Sequence, residues 1–361
     1  MYPLYALLFA DTGLGDAQIS GLFAIWSAVA VVAEVPTGML ADRSSRRGAL
    51  VAAGVLEAAG FALWVALPGF PGFAAGFVLW GVGGSLTSGA FEALLFDGLA
   101  AVGAEDRYPR LLARVTSAGL VAQLPAAALA TVLFSWGGYA LAGWFSVGIA
   151  LAAGALAALF PEAPHARVTG EADGDAGGYL SRVLAELRTT AALPGVRGIV
   201  LAVALLTALD AAEEYFTLLA QDWGVPTAAI PVVVVAVPLA GALGAHLGGW
   251  AARSRAGTLA ALLGLAAALL GAAAVVGSPA GIAAVAVFYG VCQLTQVVVD
   301  ARLQAHIPSH LRATVTSVAG LGSEAASFAV FAAWALGQGL AIAALVGALA
   351  AALPLLLRAR R

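Results

Sequence analysis

Residues 34–47, EVPTGMLADRSSRR, carry two acids and three arginines within an otherwise apolar chain. Only 10% of the 361 residues are charged, whereas 62% are apolar. Ordinary soluble domains are about 45–50% apolar and about 25% charged. The composition therefore indicates that lipid surrounds the folded protein, and it argues against a soluble enzyme. The charged stretch marks a point where the chain leaves the membrane.

Apolar runs of about 20 residues, each long enough to cross about 30 Å of hydrocarbon, recur between short breaks. They predict twelve membrane spans, numbered 1–12 below. Span 1 is incomplete, because the apolar segment before Asp11 comprises only residues 1–10. The other spans are predicted near 18–41, 48–67, 72–103, 112–135, 138–160, 196–220, 227–250, 257–277, 280–304, 310–334 and 337–357.

The arginines predict the orientation. All 17 basic residues are arginine, and they fall at alternate connections between the spans. The positive-inside rule places such connections in the cytoplasm. The absence of lysine beside abundant alanine suggests a GC-rich bacterial genome. We therefore expect a multi-pass protein of the bacterial inner membrane with its Arg-rich loops and C-terminus in the cytoplasm.

One long polar segment, 161–195, divides the chain. It separates a predicted N-terminal six-helix bundle, 1–160, from a C-terminal one, 196–361. From Tyr179 onward this linker has leucines at helical spacing, which predicts an amphipathic helix on the cytoplasmic membrane surface. A solvated connector is the alternative.

The two halves contain matching segments, as expected of a duplicated transporter fold. Arg43 matches Arg253, with Ala252 in the place of Asp42. Glu92 matches Asp300 in spans 4 and 10. The paired segments are 38–50 with 248–259, 91–99 with 299–307, and 110–120 with 310–321.

GMLADRSSRR, residues 38–47, resembles the loop signature between spans 2 and 3 of the major facilitator superfamily. EVPTG (34–38) and SGAFEALLFD (88–97) resemble one bacterial branch of it, associated with drug or metabolite efflux. The resemblance covers the chain apart from the start of span 1. It implies an all-α membrane fold of two six-helix bundles related by pseudo-two-fold symmetry. It also implies a central cavity lined by spans 1, 4, 7 and 10, and alternating access.

The loop itself predicts a latch that closes the cytoplasmic side. Asp42 can accept N–H groups at a helix N-terminus, and the resemblance implies that this helix is span 11. Arg46 and Arg47 can pair with Asp97 at the end of span 4. A positive-inside anchor with ordinary turn residues is the alternative. The latch candidates are Gly38, Asp42, Arg43, Arg46, Arg47 and Asp97.

Ionisable residues inside spans are costly, so each is a functional candidate. Asp210, Glu213 and Glu214 lie at i, i+3 and i+4, which would place them on one face of a helical span 7. A solvated vestibule is the alternative for Asp210 and Glu214, and an ion pair with Arg302 is the alternative for Asp300. The proton or substrate candidates are Glu34, Glu92, Asp210, Glu213, Glu214, Asp300 and Glu324.

The deep acids have no predicted cation near them except His246. A cavity of this kind repels carboxylates and phosphates, so neutral or cationic substrates are favoured. Aromatic and amide side chains could contact such a substrate, with plain packing as the alternative. The cavity-lining candidates are Trp26, Trp80, Gln123, Tyr289, Gln293 and Gln296.

These observations predict a secondary transporter, with proton-coupled efflux of a small hydrophobic or cationic compound. Proton-coupled uptake of a neutral nutrient and a truncated, non-transporting membrane protein are the alternatives. The sequence lacks a GxxxxGK[ST] phosphate loop and has a single cysteine, Cys292, so we expect neither ATP-driven transport nor a metal site. We expect no enzymatic activity, no cofactor and no nucleic-acid partner. The expected partners are the substrate, protons and the lipid bilayer, and the expected state is a monomer.

Overall fold

The computed structural model describes residues 1, 3–43, 45–161, 196–307 and 311–358. The predicted amphipathic helix after Tyr179 lies outside these residues. The described residues form two compact units. Unit 1 holds residues 1–161 together with Thr227–Val232, and unit 2 holds the other described residues from Val196 onward.

Unit 1 consists of helices that match the predicted spans 1–6. The last of them, α5, contains two spans, because Gly137 and Gly138 interrupt it with non-helical backbone. Gly138 has φ 60° and ψ −154°, a conformation that glycine adopts at little cost. The helices are α1 (Tyr5–Asp11), α2 (Asp16–Arg43), α3 (Arg46–Ala66), α4 (Phe70–Ala100) and α5 (Tyr108–Ala157).

Unit 2 follows the predicted spans 7–12. Its last helix, α12, is interrupted at Gly337 and Gln338 in the same way as α5. A short 3₁₀ helix, Thr227–Ala229, precedes α8, whose first residues are grouped with unit 1. The helices are α6 (Val196–Ala208), α7 (Phe216–Asp222), α8 (Ile230–Val234), α9 (Ala236–Trp250), α10 (Ala256–Val276), α11 (Gly281–His306) and α12 (Arg312–Leu356).

Span 7 is not a continuous α-helix. A 3₁₀ helix, Leu209–Tyr215, separates α6 from α7. Runs of 3₁₀ helix longer than three or four residues are uncommon and often mark functional hinges. Leu209, Ala212 and Tyr215 are its buried residues, and their spacing of three matches the three residues per turn of this helix. Packing of this apolar row thus explains the local geometry.

This geometry corrects one prediction. Residues three apart are eclipsed in a 3₁₀ helix, so Asp210 and Glu213 do share a face. Glu214 lies about 120° around the axis from Glu213. The prediction that all three acids lie on one face is therefore wrong for Glu214.

The helices have the length and composition of membrane spans. Eight helical segments of the described chain can cross a bilayer, with mean hydropathy between 1.2 and 2.5. Two of the eight, Glu105–Ala157 and Thr314–Leu356, contain the interrupted pairs of spans. Large apolar side chains such as Trp136 and Leu336 are exposed, as expected at a lipid-facing surface. The eight segments hold ten spans, and α1 and the α6–α7 segment supply the first helix of each unit. The protein is therefore a multi-pass membrane protein of two six-helix bundles.

The two units repeat the same packing. In unit 1, α2 packs on α4 and α3 packs on α5; in unit 2, α9 packs on α11 and α10 on α12.

The turns after α1 and α7 also match, because three successive N–H groups bond to carbonyls four, three and five residues earlier. Both turns have a glycine with positive φ, Gly13 at 92° and Gly224 at 83°. The segments 7–14 (LLFADTGL) and 218–225 (LLAQDWGV) are thus a further repeat that the sequence comparison missed.

An equivalent bond joins the end of the first span to the interrupted helix in each unit. In unit 1, the Tyr139 hydroxyl donates to Asp11 Oδ2 at 2.6 Å. In unit 2, the Gln338 amide donates to Asp222 Oδ2 at 3.5 Å. Asp11 and Asp222 are the last residues of α1 and α7. Each unit therefore ties its first span to its last two at the same end.

Gln338→Gly is expected to raise the stability of the protein by about 1 kcal/mol, because a non-glycine residue is strained at positive φ. Gln338 has φ 48° and ψ −137°, close to the values of Gly138. Thermal unfolding of the purified protein in detergent measures the effect. Gln304→Gly, in the regular helix α11, is the control and should lower the stability. A lower unfolding temperature for Gln338→Gly would show that the bond to Asp222 outweighs the strain.

Candidate functional site

The 3₁₀ segment of span 7 and α11 form a polar cluster within unit 2. Gln293 Nε2 donates to Asp210 Oδ1 at 2.7 Å, and Gln296 Nε2 approaches Asp210 Oδ2 at 3.5 Å. The Tyr289 hydroxyl donates to Glu213 Oε2 at 3.0 Å. The three α11 residues lie at i, i+4 and i+7, which places them on one face of that helix. This face therefore brings three neutral donors to the two acids.

Packing holds the segment that carries the acids. Tyr215 stacks on Trp334 of α12, with ring centroids 4.3 Å apart and planes 14° apart. Phe216 packs edge-to-face on Tyr289 at 5.7 Å. Both rings of the first pair are fully buried. The aromatic contacts on either side fix the position of the acids between α11 and α12.

The bonds to Asp210 leave it free to change protonation state. Within the described residues, its hydrogen bonds come from two neutral amides. An arginine or lysine in their place would hold the carboxylate ionised. Glu213 follows on the same face and accepts from the Tyr289 hydroxyl. Carboxylates in such settings are typical proton carriers.

A cavity of about 460 Å³ lies beside this cluster, between α6, α11 and α12. No arginine, lysine or histidine is among its described lining residues. Gln296 Nε2 also donates to Thr207 Oγ1 at 3.1 Å, which connects the cavity wall to Asp210. The polar lining residues are Thr207, Gln293, Gln296, Asp300, Thr316 and Ser323.

Asp300 lines this cavity one turn beyond Gln296. Its predicted alternative role was an ion pair with Arg302. The Arg302 guanidinium instead donates to the backbone carbonyl of Ser254, and no bond from a described residue reaches the Asp300 carboxylate. The ion-pair alternative is therefore wrong, and Asp300 is available to a ligand.

The other predicted acids differ in burial. Glu34 on α2, Glu92 on α4 and Glu324 on α12 are exposed, and Glu214 is half-buried. Glu92 accepts a hydrogen bond of 3.4 Å from the Tyr108 hydroxyl. His246 on α9 is exposed.

The structure places Arg46 and Asp97 in contact. Arg46 begins α3, where the Ser45 hydroxyl accepts from the Gly48 N–H at 2.8 Å. Its guanidinium forms an ion pair with Asp97 near the end of α4 and reaches the Ala93 carbonyl at 3.3 Å. The start of α3 is thereby joined to the end of α4.

The remaining latch candidates lie near this ion pair in sequence. Arg47 donates to the Phe160 carbonyl at 3.4 Å. Gly38 is half-buried within α2. Asp42 and Arg43 end α2, and their side chains lie outside the described part of the structure.

Asp97→Ala is expected to destabilise the protein by about 1–3 kcal/mol, because it leaves the Arg46 charge without its partner in a half-buried setting. Thermal unfolding in detergent measures the loss. Glu105→Ala, an acid removed from the exposed turn between α4 and α5, is the control and should change little. Equal unfolding temperatures for the two variants would contradict a stabilising role for the ion pair.

Two predicted cavity residues, Trp26 and Trp80, are stacked on each other. Their ring centroids are 5.3 Å apart and their planes 11° apart. Both also contact Phe77, and Tyr5 of α1 contacts Phe77 and Trp80. The pair thus forms the half-buried edge of an aromatic core in unit 1. Gln123, on α5, is exposed.

Sequence reasoning missed the hydroxyl groups of the cavity, Thr207, Thr316 and Ser323. Thr207 precedes Asp210 by three residues, and Thr316 lies in the repeated segment 310–321. Both positions were therefore recognisable in the sequence. A hydroxyl in an apolar span gives a weak signal, because it can bond to its own helix.

Comparison with known proteins identifies the family. Residues 1–331 match the Major Facilitator Superfamily. The fold is similar to the nucleoside transporter NupG, with 12% identity, a TM-score of 0.70 and coverage of 98% of this chain and 94% of that one. It is also similar to a D-xylose-proton symporter, with 16% identity, a TM-score of 0.69 and coverage of 99% and 92%.

A bacterial homologue of the iron transporter ferroportin shares 14% identity, with a TM-score of 0.70 and coverage of 98% and 92%. Comparison with curated protein sequences finds no significant match. Identities this low show the fold alone, whereas the family match covers most of the chain. The resemblance seen in the loop signature is thus confirmed, and the chain belongs to the Major Facilitator Superfamily of membrane transporters.

Proposed function

We propose that the protein is a proton-coupled transporter that exports a small hydrophobic or cationic compound by alternating access. It acts as a monomer in the bacterial inner membrane, with its Arg-rich loops in the cytoplasm. The observation that carries this proposal is the position of Asp210, bonded to neutral amides beside a cavity with no basic lining residue among those described.

This setting supports proton coupling. A coupling residue must bind and release a proton during each cycle, so it needs partners that tolerate both states. The Gln293 and Gln296 amides can donate to a carboxylate, and each can turn to accept from a carboxylic acid. Protonation of Asp210 would weaken its bonds to α11 and so favour a different packing of span 7.

The charge of the cavity supports a neutral or cationic substrate. Asp300 in the cavity wall and Asp210 beside it contribute negative charge. They would repel an anionic substrate in the low-dielectric setting of a membrane protein. The apolar lining, which includes Val203, Val297 and Leu303, suits a compound with a hydrophobic body. These features together fit efflux of a hydrophobic cation.

Proton-coupled uptake of a neutral nutrient is a second candidate. The amides and hydroxyls of the lining can bond to an uncharged polar molecule. One protein of similar fold is a D-xylose-proton symporter. Direction of transport distinguishes the two candidates.

The ends of the spans suggest how the transporter closes. We assign a latch to Gly38, Asp42, Arg43, Arg46, Arg47 and Asp97, which act together at the Arg-rich side. The Arg46–Asp97 ion pair supports this assignment, because it fixes the helix ends on which the other groups lie. The N-terminal bundle (1–160) and the C-terminal bundle (196–361) would then move as bodies joined by the linker 161–195.

Flux into inside-out membrane vesicles tests the proposal. With an acidic lumen, an exporter should accumulate a fluorescent lipophilic cation, and vesicles without the protein should not. Accumulation in right-side-out vesicles under external acid would favour uptake instead. A complete lack of pH-dependent flux across a panel of cationic and neutral compounds would contradict both candidates and favour a non-transporting protein.

A further inference from the structure

The cavity of unit 2 offers a carboxylate to a ligand, and its amides are bonded within the protein. The three donated bonds of the Gln293 and Gln296 amides go to Asp210 or Thr207. The Ser323 hydroxyl donates to the Gly320 carbonyl at 2.7 Å. Thr316 accepts from Gln304 at 3.4 Å. A ligand that brings donors of its own therefore complements this wall.

One acceptor of the cavity wall, the Asp300 carboxylate, has no hydrogen bond in the part of the chain that the structure describes. It is half-buried and lies one turn beyond Gln296 on α11. An N–H group of a ligand would supply the partner that this partly desolvated carboxylate lacks.

The orientation of the Gln296 amide follows from its neighbours. Its Nε2 faces Thr207 Oγ1 and Asp210 Oδ2, and a carbonyl oxygen turned toward a carboxylate would be repelled. Its Oε1 is buried without a hydrogen bond and has no surface that a ligand could reach. Because Gln296 and Asp300 are i and i+4 on α11, their side chains lie on the same face.

We propose that this cavity binds a protonated primary or secondary amine, with Asp300 as its counter-ion. This inference rests on the proposed transport function and names the substrate class. An ammonium group supplies both the positive charge and the N–H donors that suit a carboxylate without a bonded partner. The volume of about 460 Å³ suits a small amine with an apolar body.

The assignment separates two roles. Asp300 binds the substrate charge, and Asp210 carries the proton. Gln296 lies one turn from Asp300 on α11 and donates toward Asp210. Binding of the amine and protonation of Asp210 would then be coupled through this part of α11.

Binding of 2-phenylethylamine to the purified full chain in detergent tests the proposal. Calorimetry should show that the amine binds, that its trimethylammonium analogue binds more weakly because it lacks N–H donors, and that 2-phenylethanol binds weakest. Asp300→Asn should weaken amine binding about tenfold or more. Asp300→Glu should restore most of the affinity, which excludes a folding defect as the cause.

A matched acid provides the control. Asp106→Asn removes the same charge from the exposed turn before α5 and should leave amine binding unchanged. Equal affinities for the amine and the alcohol, or unchanged amine binding in Asp300→Asn, would overturn the inference.

The outcomes also separate this inference from the proposed function. Amine binding that depends on Asp300, without proton-coupled flux, would contradict the proposed function and support the inference. Proton-coupled flux of other compounds, without amine binding, would support the proposed function and contradict the inference. Binding of sodium ions that depends on Asp300 and that the amine does not displace would assign the site to a metal cation and overturn the inference.

Discussion

Asp210→Asn is expected to reduce proton-coupled transport by about 100-fold or more, a loss typical of removing a proton-transfer group. Asparagine has the same shape as aspartate and can still accept from the Gln293 amide, which donates to Asp210 at 2.7 Å. It cannot bind and release a proton at physiological pH. The fold should therefore survive, and the coupling should not.

Two assays on proteoliposomes measure this effect. A pH-sensitive dye in the lumen reports proton movement when substrate is added, and exchange of labelled for unlabelled substrate reports binding and conformational change without net proton flux. The variant should lose the first signal and keep the second. Asp106→Asn is the matched control and should retain both. Unchanged proton flux in Asp210→Asn would exclude Asp210 as the carrier.

Gly244→Ala is expected to have the largest effect on stability, about 3 kcal/mol. Gly244 on α9 faces Gly290 on α11, where a methyl group would overlap the Gly290 carbonyl oxygen and lie 2.9 Å from its Cα. Small residues allow membrane helices to approach this closely, and their packing replaces the hydrophobic driving force available in water. The added methyl group must therefore push α9 and α11 apart.

The same helix provides the control. A methyl group at Gly249 meets no atom within 4 Å, so Gly249→Ala should leave stability unchanged or raise it slightly. The unfolding temperature and the size-exclusion profile in detergent measure both variants. Because α11 carries Gln293 and Gln296, Gly244→Ala should also weaken amine binding. Equal stability of the two variants would show that the α9–α11 contact adjusts without cost.

The membrane fold could be predicted from the sequence, because it depends on composition and on the lengths of apolar runs. The break at Gly137 was also predictable, since glycine interrupts an apolar run there. The matching break near Gly337 was predictable as well, since the predicted spans end at 334 and begin at 337. The positive φ of Gln338 was not, because glutamine gives no signal of it. Its conformation follows from the surrounding helices.

The candidate site could be predicted only in part. The acids of span 7 and the polar face of α11 were visible as ionisable and amide residues in apolar runs. Their pairing depends on the 3₁₀ segment, which a search for α-helical spacing overlooks. The apolar row Leu209, Ala212 and Tyr215, with its period of three, was the available signal. Trp26 and Trp80 were predicted to line a cavity, and they instead form the edge of the aromatic core of unit 1. Aromatic residues in spans can equally form a packing core.

The 3₁₀ segment of span 7 also changes the pitch of the whole span. Seven residues rise about 14 Å as a 3₁₀ helix and about 10.5 Å as an α-helix. They turn through about 840° in the first form and about 700° in the second. Winding Leu209–Tyr215 into α-helix would thus shorten the span by about 3.5 Å and rotate α7 by about 140° relative to α6. Because Asp210, Glu213 and Glu214 lie in this segment, a protonation step that rewound it would change both the length of span 7 and the orientation of α7.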